Sequence, residues 1–117
     1  MGLTAVARKV DDVNIVDLGG RITIGEGTAI LKEAVRALLQ KDEPKILLNL
    51  GDITYIDSSG IGELVSSFTM TEKKGGKLKL LHLTKKVHDL LSITKLLTVF
   101  EVFDDEATAI KSFFGRN

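Results

Sequence analysis

Asp52-Ile53-Thr54-Tyr55-Ile56-Asp57-Ser58-Ser59-Gly60-Ile61-Gly62-Glu63-Leu64-Val65 reads as a strand end, a tight turn with two hydroxyls, and the first turn of an amphipathic helix. Ser58 and Ser59 therefore fall where a helix leaves backbone N–H groups without partners and presents the positive end of its dipole. Such a place accepts a phosphate on a serine, because the backbone donors can meet its oxygens. A serine whose charge can be switched points to signalling before catalysis.

Outward from this stretch, strands alternate with helices. Val13 to Leu18, Lys45 to Leu50 and Lys77 to Leu83 have strand character, and a further strand is expected around Thr98 to Phe103. Thr4 to Lys9, joined through Asp11-Asp12, forms a hairpin with Val13 to Leu18. Ile46-Leu47-Leu48 is a continuous apolar run, as expected of a strand covered on both faces. Leu31, Ala34, Val35 and Leu38 recur at helical spacing, and so do Ile61, Leu64, Val65 and Phe68. Thr84 is placed to cap a shorter helix holding Val87, Leu90 and Leu91. Asp104 or Asp105 caps a last one carrying Ala107, Ile110, Phe113 and Phe114. Pro44 and Gly75-Gly76 punctuate the entries to two strands. The class is α/β: one small, mixed, mainly parallel sheet with an antiparallel hairpin at its start and about four helices.

With 117 residues the chain fits a single domain spanning residues 1–117, large enough to bury a core without staples. Its net charge is zero, which leaves no electrostatic footprint for nucleic acid or an anionic membrane. The absence of cysteine excludes disulfides, thiolate metal sites and a cysteine nucleophile. The sequence has no apolar run of signal-peptide length at its start and no segment long enough to span a bilayer, so the cytoplasm is the expected location.

The double-serine turn admits three readings. In the first, Ser58 or Ser59 is simply a helix cap, and Gly60 and Gly62 allow close packing of helix on sheet. In the second it is catalytic, but a nucleophile elbow needs a glycine two residues before the serine, where Ile56 stands. The only histidines are His82 and His88, neither placed by the sequence to serve a serine nucleophile. Gly60-Ile61-Gly62 lacks the third glycine of a dinucleotide loop, and no lysine completes a P-loop. No catalytic or metal-binding residue is therefore expected.

The third reading rests on a resemblance. The chain resembles a STAS domain, and within that family the bacterial anti-sigma factor antagonists. The resemblance runs through Leu18-Gly19-Gly20-Arg21-Ile22, Ile46-Leu47-Leu48-Asn49-Leu50, Asp57-Ser58-Ser59-Gly60-Ile61-Gly62, Gly75-Gly76-Lys77-Leu78 and Val87-His88-Asp89-Leu90-Leu91. It implies that Ser58 is the phosphoacceptor and that Asp57, Ser59, Gly60 and Gly62 shape the switch turn. The implied partners are an anti-sigma factor with a histidine-kinase-like ATPase domain and a metal-dependent serine phosphatase. ATP and magnesium would come from that kinase, so the chain needs no cofactor of its own. The unphosphorylated form would bind the anti-sigma factor and free a sigma factor, and phosphorylation would release it. The resemblance also implies an acidic residue in the loop after the second strand; Thr23 stands there, and Glu26 is the nearby candidate for that role. Lys95 stands where many members have a glycine after the third helix. The family holds a second class as well: accessory subunits of transporters, lipid-transport ABC systems among them, and parts of stress-signalling assemblies.

A phosphoserine carries roughly −1.5 to −2 charge beside Asp57. Two unit charges about 4 Å apart repel by roughly 4 kcal/mol at an effective dielectric near 20, and about 3 kcal/mol weakens binding more than a hundredfold. A penalty of that size is enough for a switch that works by charge and sterics, without refolding the domain. With Ile61 at the centre of the core face, Glu63, Ser66, Ser67 and Met70 fall on the outer side of the helix. Together with Ser58, Ser59, Thr23 and Glu26 they make the expected partner surface, Met70 supplying an adaptable apolar contact.

Overall fold

A chemically specified turn opens the fold. Asp11 and Asp12 both take left-handed backbone, with φ of 49° and 72°, as a two-residue type I′ turn requires, and short polar side chains tolerate that conformation. In the computed structural model, which describes residues 2–114, this turn joins β1 (Leu3–Val10) to β2 (Val13–Ile22) in antiparallel register. There follow α1 (Glu26–Gln40), β3 (Lys45–Ile56), α2 (Ser58–Lys73), β4 (Lys77–Leu81), α3 (Lys85–Ile93), β5 (Val102–Phe103) and α4 (Glu106–Ser112). The five strands lie in the order β1-β2-β3-β4-β5, with every pair after the hairpin parallel. The α/β class and the opening hairpin are those expected.

The three parallel crossovers all step in the same direction across the sheet. Right-handed connections of that kind put their helices on one face. Accordingly Leu31 and Val35 of α1, Ile61 and Leu64 of α2, and Val87 and Leu91 of α3 share one core with Val16, Leu18, Ile46, Leu48 and Leu80. Residues of the opposite strand parity, Val13, Ile15, Leu47 and Leu81, pack beneath Ala109 and Ile110 of α4. Ile46, Leu47 and Leu48 are all fully buried, which is the two-sided coverage their continuous apolar run implied.

Strand lengths depart from expectation in both directions. β2 continues to Ile22 and β3 to Ile56, because their ladder runs on past Gly19-Gly20 through two register shifts. Gly20 adopts φ +102°, and a Cβ there would lie 2.2 Å from the Gly2 carbonyl oxygen, so only glycine lets the strands pass. In contrast, β4 stops at Leu81, where His82 turns left-handed (φ 57°). The strand expected over Thr98 to Phe103 shrinks to two residues, since Leu97–Val99 forms a 3-10 turn and Phe100 folds inward, edge-on to Phe68 at 5.4 Å.

Ionic contacts hold α4 at both ends. Arg8 lies between two carboxylates, with Nε 2.6 Å from Asp17 and Nη2 2.8 Å from Glu106, and Asn49 donates to Asp17 at 2.9 Å. At the other end the buried Lys79 Nζ donates to the Ser112 carbonyl at 3.1 Å and hydroxyl at 2.9 Å, a cation on the negative end of the helix. The Arg8 guanidinium holds the Asp17 and Glu106 carboxyls below their usual range, and its own pKa is raised. For groups with depressed pKa values the stabilisation is complete above the unfolded value, about 4 to 4.5, and disappears as pH falls through the folded value. Partly exposed ions of this kind contribute about 1 kcal/mol or less. Asp17→Asn is therefore expected to lower Tm by a few degrees at neutral pH and to flatten its fall between about pH 5 and pH 3. Thermal denaturation across that range checks it.

Candidate functional site

The double-serine turn sits where β2 and β3 end and α2 begins. Asp57 is the N-cap of α2, in extended conformation, and its Oδ1 accepts the Gly60 N–H at 2.8 Å. Its Oδ2 accepts the Ile24 N–H from the β2–α1 loop at 3.1 Å. One carboxylate thus fastens the helix opening to the neighbouring loop. The N–H groups of Gly60 and then Ile24 hold the Asp57 carboxyl below its ordinary range, so it is ionised at neutral pH.

The serine-cap reading is corrected by this arrangement. Capping falls to Asp57, so the hydroxyl of Ser58, the first helical residue, is not needed to start the helix, and Ser58 is exposed. Ser59 is half-buried behind it. The two glycines of the turn also separate. A Cβ on Gly60 would lie 2.2 Å from the Ile22 carbonyl oxygen and 2.6 Å from the Ile56 side chain. That glycine is what allows α2 to start against the end of β2. A Cβ on Gly62 would meet nothing within 4 Å, so the expected packing role does not apply there, and Gly62 lies exposed one helical turn beyond Ser58.

A profile of the STAS domain matches residues 4–109. The chain belongs to the STAS domain family. Among its relatives, the anti-sigma-B factor antagonist of Bacillus subtilis is 31% identical over 87 residues, covering 74% of this chain and 78% of its own. The crystal structure of TM1081 from Thermotoga maritima is 28% identical and superposes with a TM-score of 0.86 over 95% of each chain. SpoIIAA, solved as an anti-sigma factor antagonist in its unphosphorylated form, superposes at 0.71 over 97% of this chain and all of its own. The SpoIIAA of Bacillus in phosphorylated form superposes at 0.73, covering 93% and 98%. At 17% and 16% identity these last two show the shared fold alone.

Within this STAS domain the expected partner surface is partly redrawn. Ser67 is fully buried and Glu63 is only 9% exposed, with the Ser67 hydroxyl donating to Glu63 at 3.2 Å. Both were expected on the outer side of α2. The reason is lateral: α1 lies alongside α2 on the same face of the sheet and covers the flank carrying Glu63, Ser67 and Thr71. The exposed stripe is instead Ser58, Gly62, Ser66, Thr69 and Lys73. Met70 borders it, half-buried, in a shallow depression with Ser66, Thr69, Lys73 and Lys74. It lies about 18 Å along the helix from Ser58 at 1.5 Å per residue. Thr23 is half-buried and its carbonyl accepts the Thr28 N–H at 3.1 Å. Glu26 opens α1 with its carboxylate against Gly2, at the start of β1.

One neighbour of the turn was not among the expected site residues. Ile24 is 75% exposed, and its N–H is held by the carboxylate of Asp57, the residue before Ser58. The available signal was an isoleucine placed between a strand end and Gly25, outside any core periodicity.

Opposite outcomes are expected for the two turn glycines. Gly60→Ala should destabilise the domain by about 1–3 kcal/mol or more through the backbone clash. Gly62→Ala should stabilise it by up to about 1 kcal/mol through helix propensity. Urea denaturation of both variants measures the difference directly.

Proposed function

We propose that this STAS domain is an anti-sigma factor antagonist whose binding is switched by phosphorylation of Ser58. The observation that carries the reading is the division of labour in the turn: Asp57 caps α2, leaving the exposed Ser58 hydroxyl available to a kinase. In its unphosphorylated state the protein binds an anti-sigma factor with an ATPase-type kinase domain and frees a sigma factor for transcription. Transfer of a phosphoryl group to Ser58 sets a second anionic group beside the ionised Asp57, and the complex separates because the partner would have to accommodate a bulkier and more strongly anionic turn. A metal-dependent serine phosphatase restores the binding form. The nucleotide and magnesium are brought by the kinase, and this chain acts as a regulatory binding protein with no catalysis or cofactor of its own. Two features support a surface switch: Ser58 heads the exposed stripe of α2, and no rearrangement of the core is needed to reach it.

The contact surface comprises Ser58, Gly62, Ser66 and Met70 of α2, with Ile24 as an apolar neighbour from the β2–α1 loop. Glu63 and Ser67 are bonded to each other on the covered flank of α2 and lie outside this surface. Ser58→Ala and Ser58→Asp proteins used as baits in lysate of the native host test the reading. An ATPase-domain kinase retained by the alanine form and released by the aspartate form is expected. A transporter ATPase retained equally by both would overturn the proposal and leave the turn a structural helix start. With the kinase in hand, Met70→Lys should weaken its affinity about tenfold or more. An unchanged affinity would confine the contact to the Ser58 end of α2.

A further inference from the structure

We propose that the free edge of β1 pairs with β1 of a second copy, antiparallel and centred on Val6, joining two sheets into one. β1 is an outer strand of the sheet and runs for eight residues, with unbroken one-to-one register against β2. The hairpin fixes which of its backbone groups are unpaired. In a two-residue hairpin the residues flanking the turn, here Val10 and Val13, exchange hydrogen bonds, and the bonded pairs then alternate along the strand. Thr4, Val6, Arg8 and Val10 accordingly bond inward to β2, and the same parity places the Gly2 carbonyl on the Arg21 N–H at 3.2 Å. Leu3, Ala5, Ala7 and Lys9 turn their N–H and C=O groups outward, away from the sheet.

Long free edges are usually guarded by proline, a bulge or charged side chains, lysine above all. β1 has neither proline nor bulge, and both its cations are engaged within the protomer. Lys9 Nζ is 2.8 Å from Glu43, and Arg8 is held by Asp17 and Glu106. Neither is left to repel an approaching strand. At the centre, Val6 is 61% exposed and flanked by two alanines small enough for close backbone approach.

A two-fold axis through Val6 is the register that pairs all four outward residues within the strand. It sets Ala5 against Ala7 and Leu3 against Lys9 as hydrogen-bonded pairs. On the other side of the ribbon Val6 meets Val6 of the second copy at a non-hydrogen-bonded position, where side chains come closest. Thr4 meets Arg8, and no like charges stand opposite each other. An axis through Ala5 or Ala7 runs one end of β1 past the partner strand.

Sedimentation equilibrium over a range of concentrations is expected to approach twice the 12.7 kDa chain mass. Ala7→Pro removes an outward N–H and leaves the β2 ladder intact, so it should weaken self-association by about tenfold or more with unchanged circular dichroism. The chain has no cysteine of its own. On mild oxidation Val6→Cys should therefore form a disulfide-linked dimer, while Thr4→Cys, opposite Arg8, should lag well behind. A constant 12.7 kDa mass at every concentration overturns the proposal. So does equal cross-linking of the two cysteine variants, which would place any dimer elsewhere and also covers the case in which Ala7→Pro fails to fold.

Discussion

The Asp57 carboxylate makes two backbone hydrogen bonds on which the site depends. One starts α2 by accepting the Gly60 N–H; the other ties in Ile24, at the exit of β2. Both bonds rely on a close approach that Gly60 permits, since any side chain there would collide with the Ile22 carbonyl. Strand end, loop and helix start are thereby held as one rigid corner. That corner presents Ser58 and Ile24 outward.

From this corner follows the economy of the proposed switch. If a serine hydroxyl capped α2, modifying it would cost the helix its first hydrogen bond. With Asp57 in that role, Ser58 can gain and lose a phosphoryl group while the fold below it stays as it is. The new charge acts on whatever lies against the exposed stripe of α2. The two helices and the sheet behind that stripe form the main core, including fully buried Leu31, Leu48 and Leu64. They give the signal a fixed platform. The remaining face is organised separately, with α4 held between Arg8 at one end and Lys79 at the other.

Much of this was legible from sequence because local chemistry dictated it. Asp11-Asp12 specified its own turn, Thr84 and Asp105 each cap the helix expected of them, and the apolar run at Ile46 announced a strand covered twice. What could not be read was set by neighbours distant in sequence. A helical wheel identifies the face of α2 opposite Ile61, but whether Glu63 and Ser67 meet water or α1 depends on two crossovers placing their helices side by side. Distinguishing Gly60 from Gly62 needed the position of the Ile22 carbonyl. The choice of Asp57 over its serines as cap turned on the φ and ψ of one residue. The short β5 reflects Phe100 folding inward to meet Phe68, a packing decision invisible in an apolar run.

A switch built on this turn requires Ser58, and not its neighbour, to be modified in the living cell. Tandem mass spectrometry of the protein recovered from its native host, with phosphatases inhibited, decides the point. Phosphate localised to Ser58, in a fraction that changes with growth conditions, is the predicted result. A chain that is unmodified under every condition, or that carries its phosphate on Ser59, would contradict it.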